Sequence, residues 1–129
     1  MAQDYRDLMV WQRAIDLTVS IYQLTRSFPR DEAFGLISQM RRAAISVASN
    51  IAEGRGRLNA REFRQFPGFA QGSTYELQTQ LLAARKLRIG SEGQLNEVES
   101  LSNEVSKMLR AFIQTLKSKA TVDQLEARS

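Results

Sequence analysis

The sequence predicts an all-α fold, an antiparallel up-down-up-down four-helix bundle. Four segments repeat apolar residues with the 3.6-residue period of a helix, and no segment of useful length alternates as a half-buried strand would. The segments are joined by short connections, which favour antiparallel neighbours. Heptad-like spacing in every segment also favours packing at shallow crossing angles.

The first helix is predicted to begin after Asp7, whose carboxylate suits an N-cap, and to end near Ser27. Pro29 marks this end because proline disfavours a helical conformation at the residue before it. The apolar face expected to meet the core is Leu8, Trp11, Ala14, Ile15, Thr18, Ile21, Tyr22 and Leu24.

The second helix is predicted to begin at Glu32 or Ala33, with Asp31 as its N-cap. Gly54 stands where a C-terminal cap belongs, so the helix is expected to end there. Steps of three and four residues connect its apolar stripe, which is Phe34, Ile37, Met40, Ala44, Val47 and Ile51.

The third helix is predicted to open at Asn59, with Glu62 in a capping-box position, and to stop at Gly90. Pro67 lies inside its pattern, where proline removes a backbone hydrogen bond. A kink within one helix is expected there, because the apolar stripe keeps its phase. That stripe is Phe63, Phe66, Ala70, Ser73, Leu77, Leu81 and Ala84.

The fourth helix is predicted to begin at Ser91, with Gln94 at the matching capping position. Its pattern fades after Lys119, which predicts a bundle domain over residues 1–119 and a frayed or disordered tail over 120–129. The stripe of this helix is Leu95, Val98, Leu101, Val105, Met108, Leu109, Phe112 and Leu116.

The composition excludes several kinds of chemistry. The 129 residues include no cysteine and no histidine, so disulfides, zinc sites with the usual ligands and histidine-activated nucleophiles are ruled out. No metal or cofactor is expected. The net charge of +4 suits a nucleic-acid or acidic-protein partner. No apolar run has the length of a membrane span or signal peptide, which predicts a cytoplasmic protein.

Arginines gather around the sequence GRGR at residues 54–57. This is not a nucleotide-binding loop, because no strand precedes it and the P-loop lysine is missing. The cations are nevertheless segregated in the sequence from the glutamates that begin the fourth helix, as a basic nucleic-acid-binding surface requires. The alternative is a solvated loop with helix-end charges. The candidate nucleic-acid-binding residues are Arg41, Arg42, Arg55, Arg57, Arg61, Arg64, Arg85, Lys86 and Arg88.

A polar line runs beside the apolar stripe of the second helix and is expected to meet polar residues of the third. If Arg42 meets Glu76 between the helices, the two would form a partly buried, structural ion pair. The alternative is a ligand or catalytic site, with Glu53 and Glu76 as acid and base. The residues of this structural polar seam are Arg42, Asn50, Glu53, Ser73 and Glu76.

Small residues recur every four positions on two helices. Ala44, Ala48 and Ala52 do so on the second helix, and Gly68 and Gly72 on the third. This spacing lets helix backbones approach closely. Packing within the subunit is favoured over a contact between subunits.

Three sequence elements occur in a fixed order: W-x-x-A, R-R-A-A-x-S-x-x-x-N-I-A-E-G and G-S-x-x-E-L. Over roughly residues 4 to 115 they resemble the small bacterial four-helix bundles of the 23S rRNA intervening sequence (S23) family. Pro67 departs from the aliphatic residue usual in that family. The positions that match its signature, where the resemblance implies structural roles, are Asn50, Glu53, Gly54, Gly72, Ser73 and Glu76.

The resemblance also implies partners. The accessory variability protein of diversity-generating retroelements is similar in fold to the family, assembles as a homopentamer, and binds nucleic acid and a reverse transcriptase. A ring-like homo-oligomer, here a homopentamer, and a nucleic-acid role are therefore what the resemblance implies for this chain.

Three functions follow from these observations as hypotheses. The first is a non-enzymatic homo-oligomeric bundle that binds RNA or DNA through arginine–phosphate contacts, by counterion release and with little base readout. The second is a scaffold module whose basic patch binds an acidic partner protein. The third is an enzyme acting through Glu53 and Glu76.

Overall fold

The computed structural model describes residues 4–55 and 60–128, with side chains at 4–55, 65–118 and 125–126. Its four α-helices are α1 (Met9–Thr25), α2 (Ser38–Arg55), α3 (Ala60–Lys86) and α4 (Glu92–Arg128). Each helix packs against the next along the chain, and α4 packs back against α1. The described residues contain no strand, so the predicted all-α four-helix bundle is confirmed.

The start of α1 differs from the prediction. A short 3₁₀ turn, Tyr5–Asp7, precedes it, and Asp4 caps this turn by accepting a hydrogen bond from the Arg6 backbone N–H at 2.8 Å. Leu8 is the N-terminal cap residue of α1 and contributes no side-chain bond. Asp7 is therefore not the cap, because the chain makes an extra turn before α1 begins.

Two irregular turns, Arg30–Glu32 and Ala33–Ile37, precede α2. Gly35 within the second has φ −104° and ψ −113°, well outside helical values. Asp31 lies inside the first turn, so its predicted role as the N-cap of a continuous helix is wrong. Phe34 is 97% exposed rather than part of the core, because the irregular backbone breaks the phase of the stripe.

The buried face of α1 is rotated relative to the predicted stripe. Val10 and Leu17 are buried, whereas Ile15 is 36% exposed, because α1 packs against both α2 and α4. The shared hydrophobic core is Val10, Ala14, Leu17, Ile21, Leu24, Phe28, Met40, Ala43, Ala44, Val47, Ala48, Ile51, Ala70, Leu77, Leu81, Ala84, Leu95, Val98, Val105 and Leu109.

Helix α3 passes through Pro67 without a break. The prediction of one helix rather than two is confirmed, and the kink stays a prediction. Asn59 lies outside the described residues, as does the side chain of Glu62, so the predicted capping box does too.

The end of α3 is a Schellman motif centred on Arg88 rather than a stop at Gly90. The Ile89 N–H donates to the Ala84 carbonyl at 2.9 Å, and the Arg88 N–H donates to the Arg85 carbonyl at 3.1 Å. Arg88 has φ 59°, the left-handed conformation that such a motif requires. Gly90 comes two residues later, in the turn that leads to α4.

Two further helix ends are corrected. Gly54 lies inside α2, which runs to Arg55, and it does not have the left-handed conformation of a cap. Helix α4 continues to Arg128, beyond the end predicted near Lys119. The division into a bundle domain and a tail stays a prediction. Within the described ranges, no helix is both long and apolar enough to cross a membrane.

Candidate nucleic-acid interface and polar cleft

A cleft of about 490 Å³ opens between α2 and α3. The hydroxyls of Ser46 and Ser73 share a hydrogen bond of 2.8 Å at this helix contact. Because the two helices run in opposite directions, residues one turn before Ser46 lie opposite residues one turn after Ser73. Arg42 and Glu76 are therefore brought to the same cleft. Its lining residues are Gln39, Arg42, Ala43, Ser46, Ser73 and Glu76.

The predicted polar seam is formed in part. The Asn50 amide donates to the Ser46 carbonyl at 2.8 Å and to the Ser46 hydroxyl at 3.0 Å. That hydroxyl also bonds to Ser73, so one chain of hydrogen bonds connects Asn50 to α3. This contact fixes the register of α2 against α3, which is a structural role.

The ion pair considered for Arg42 and Glu76 is not formed. Both residues are exposed, and no salt bridge between them occurs among the described residues. Glu76 Oε1 instead accepts a hydrogen bond from the Gln80 side chain at 3.3 Å. Glu53 is exposed and does not line the cleft, so the carboxylate pair of the enzyme hypothesis is not assembled there.

Arg41 is used to pack α2 against α1. Its Nε donates to the Thr25 hydroxyl at 2.9 Å, and its guanidinium carbon lies 4.5 Å from the centre of the Tyr22 ring. Thr25 is 1% exposed, so this contact lies against the core. The role that the structure gives Arg41 is that of a partly buried packing residue, a role that the sequence did not indicate.

The three cations at the end of α3 differ in their contacts. Arg85 donates to Glu99 at 3.0 Å and to Asn96 at 3.1 Å, which links α3 to α4. Lys86 and Arg88 are exposed and form no ion pair within the described part of the chain. Lys86 and Arg88 therefore present unneutralised charge at this end of the bundle.

Three further candidate arginines, Arg55, Arg61 and Arg64, belong to the opposite end of the bundle, about 40 Å away along α3 at 1.5 Å per residue. Arg55 is the last residue of α2 and is half-buried. Arg57 lies outside the described residues. Arg61 and Arg64 are in the first turns of α3, and their side chains lie outside the described part.

Two of the glutamates on α4 hold arginines of other helices. Glu104 accepts bonds from the Arg13 guanidinium at 2.7 and 3.1 Å, and Arg13 also contacts Asp16 at 2.8 Å. The hydrogen bond from Arg13 holds the pKa of Glu104 below its ordinary value. In the described residues, no group of three acidic side chains is placed to hold a metal ion.

The small residues that recur every four positions differ in burial between α2 and α3. Ala44 and Ala48 are buried in the core, as packing within the subunit predicts. Gly68 and Gly72 are exposed, and no atom lies within 4 Å of a Cβ built at either one. The favoured interpretation of the two glycines is therefore wrong, because no other described helix approaches them closely.

These features define a small all-α bundle with an open polar cleft and exposed cations. The sequence profile of the 23S rRNA-intervening sequence protein family matches residues 6–111, and the chain belongs to this family. A search of curated proteins finds no match.

The fold is also similar to a solved structure, a protein of unknown function from the S23 ribosomal protein family of Bacteroides thetaiotaomicron. The TM-score is 0.70, with 22% sequence identity over 81% of this chain and 98% of that chain. At this identity the likeness shows a shared fold.

Proposed function

We propose that this protein is a non-enzymatic, self-associating bundle that binds RNA or DNA through contacts between arginines and phosphates. The observation that carries the proposal is that Arg42, Lys86 and Arg88 are exposed and unpaired among the described residues, whereas Arg13 and Arg85 are neutralised by glutamates. Surface charge of one sign that is not neutralised internally attracts polyanions.

The backbone of Arg88 supports the same proposal. A left-handed residue at a helix end is usually glycine, because a side chain costs about 1–2 kcal/mol in that conformation. Arg88 has φ 59° and exposes its side chain to solvent. A charged side chain at a position that favours glycine supports a role for this charge in binding a polyanion.

The binding test is the salt dependence of affinity for a short DNA duplex and for an RNA duplex. Alanine at Arg42, Lys86 and Arg88 together is expected to lower the slope of log K against log salt by about two to three on DNA, since each phosphate contact contributes about 0.9. The slope is measured by fluorescence anisotropy from low to moderate salt.

A matched control removes three positive charges elsewhere. Its substitutions to alanine are at Arg6, Lys107 and Arg110, all of which are exposed. The control is expected to change the slope by less than half as much. Absence of binding by the wild-type protein at low salt, or equal slopes for the two triple variants, would show that the proposed surface is wrong.

Self-association is proposed to use the outer face of α3, defined as Gly68, Gly72, Tyr75, Thr79 and Leu82. Tyr75 is 48% exposed and Leu82 is 53% exposed, on the same side of the helix as the two glycines. Exposed glycines weaken a helix by about 1 kcal/mol each relative to alanine. They are explained if a second copy packs closely here. We propose that the assembly is a homopentamer in the cytoplasm.

Replacing Gly72 with leucine tests this face, because the subunit leaves open space for the new side chain. The variant is expected to fold and to lose its oligomeric mass at micromolar concentration, since the leucine would hold a second copy away. Ser100→Leu, which adds a leucine to an exposed position of α4, is the control. A monomeric wild-type protein, or a Gly72→Leu variant of unchanged mass, contradicts the proposal.

A scaffold module that binds an acidic partner protein is the second candidate. It is favoured by Leu87, which is 60% exposed between Lys86 and Arg88. An affinity-purified complex should survive nuclease treatment if the partner is a protein. It should be lost, with release of nucleotides, if the partner is a nucleic acid.

A further inference from the structure

The polar cleft carries an unpaired positive and an unpaired negative side chain on its two facing helices. Arg42 on α2 forms no hydrogen bond or ion pair among the described residues. Within the same residues, one oxygen of Glu76 on α3 is used, Oε1, which accepts from the Gln80 side chain at 3.3 Å. Both therefore keep hydrogen-bonding capacity for a ligand, Arg42 as donor and Glu76 as acceptor.

The base of the cleft is held in a fixed geometry. Ser46 and Ser73 are joined at 2.8 Å across the two helices, and the Asn50 amide donates to Ser46 at 3.0 Å. These bonds keep α2 and α3 at a set separation beneath the two charged side chains. A cleft with such a rigid base can select a ligand by shape and by hydrogen bonds.

A carboxylate beside phosphate-binding arginines requires an explanation. Glu76 repels a phosphate, so it would weaken a surface that bound only the backbone of a nucleic acid. The same carboxylate attracts the edge of a base that offers hydrogen-bond donors. Guanine offers two adjacent donors, N1–H and the N2 amino group, to one carboxylate, and its O6 and N7 accept a bidentate contact from arginine.

We infer that the cleft binds the base of an unpaired guanosine, with Glu76 accepting from N1–H and the N2 amino group and Arg42 donating to O6 and N7. Arg42 lines the cleft from α2 and Glu76 lines it from α3, so the two groups can contact different edges of one guanine ring. Adenine and cytosine each place an acceptor beside their amino group, and this acceptor would face the carboxylate. Uracil has a single ring N–H between two carbonyls.

The size and position of the cleft fit this ligand. A volume of about 490 Å³ lies within the range of small-molecule sites. Glu76 and Lys86 lie on the same helix about 15 Å apart, which about four stacked nucleotides of one strand would span. A strand held by the exposed Lys86 and Arg88 can thus place a base in the cleft. This inference rests on the proposed nucleic-acid binding and adds a base preference to it.

The test compares three single-stranded RNA oligonucleotides, unstructured runs of uridine with guanosine, inosine or adenosine at one central position. The wild-type protein is expected to bind the guanosine oligonucleotide about five- to 150-fold more tightly than the adenosine one. Inosine lacks only the N2 amino group, so it is expected to lie between the two. Affinities are measured at one low salt concentration.

Glu76→Gln is expected to abolish the preference for guanosine. Gln80 already donates to Oε1, so the amide of the variant would turn its NH₂ toward the donors of guanine. Binding to the adenosine oligonucleotide should stay the same or become tighter, because a negative charge has been removed. Glu97→Gln removes a charge from an exposed position of α4 outside the cleft and should keep the preference.

The outcomes separate this inference from the function on which it rests. Equal, salt-dependent binding of all three oligonucleotides overturns the guanosine site and leaves arginine–phosphate binding in place. A preference that survives Glu76→Gln also overturns the site. No binding to any nucleic acid at low salt overturns both. Loss of the guanosine preference in Glu76→Gln but not in Glu97→Gln supports the site.

Discussion

Leu77→Ala is expected to lower the free energy of unfolding by about 2–5 kcal/mol, a large part of the roughly 5–15 kcal/mol typical of a domain. The Leu77 side chain is fully buried in the shared core. Few large apolar residues of α3 reach that core, since its neighbours on the buried face include Gln71, Thr74 and Gln80. Few apolar side chains are therefore close enough to move into the cavity that the substitution leaves.

The change in the free energy of unfolding is measured by urea unfolding followed by circular dichroism. Several protein concentrations are used, so that any contribution of self-association to stability is visible. Leu87→Ala is the control, because Leu87 is 60% exposed and should change stability by no more than about 0.5 kcal/mol. A loss below about 1 kcal/mol for Leu77→Ala would mean that the core of the molecule is not packed as described.

Gly90→Ala is expected to destabilise the protein by about 2–3 kcal/mol. Gly90 has φ +91°, which costs a residue with a side chain about 1–2 kcal/mol. A Cβ at this position would also lie 2.9 Å from Cε1 of Phe28 and 3.3 Å from Cδ1 of Leu24. Both side chains are buried, so the ring of Phe28 cannot move away without disturbing the core.

Gly93→Ala provides the matched control at the start of α4. The nearest atom to a Cβ there is Ser91 Oγ at 3.9 Å, and no positive φ is involved. Alanine is a better helix former than glycine, so this variant should be as stable as the wild type or slightly more stable. Similar unfolding midpoints for the two variants would contradict the strain assigned to Gly90.

The helix ends show where sequence reasoning was insufficient. Gly54 and Gly90 were both predicted as helix stops, yet Gly54 lies inside α2 and the cap of α3 is Arg88. Glycine permits the left-handed conformation without requiring it. Arginine adopts it at residue 88 because a pair of backbone hydrogen bonds and the turn to α4 compensate for the cost.

The contacts of the candidate site were likewise predicted only in part. The sequence placed Asn50 and Ser73 in one seam, and the Ser46 hydroxyl joins them as expected for facing polar stripes. It did not predict that Arg42 and Glu76 would share a cleft without pairing, because side-chain separation depends on how far apart α2 and α3 lie. Nor did it distinguish Arg41, which packs on Tyr22 and Thr25, from its exposed neighbour Arg42.

The sequence by itself determined the number of helices, the all-α class and most of the residues that reach the core, because a 3.6-residue apolar period is a local property of the chain. It also indicated the family, through signature residues at fixed spacing. Only the tertiary structure decided the rotation of α1, the exposure of Gly68 and Gly72 and the contacts of each arginine. Those features depend on distances between helices, which no local pattern specifies.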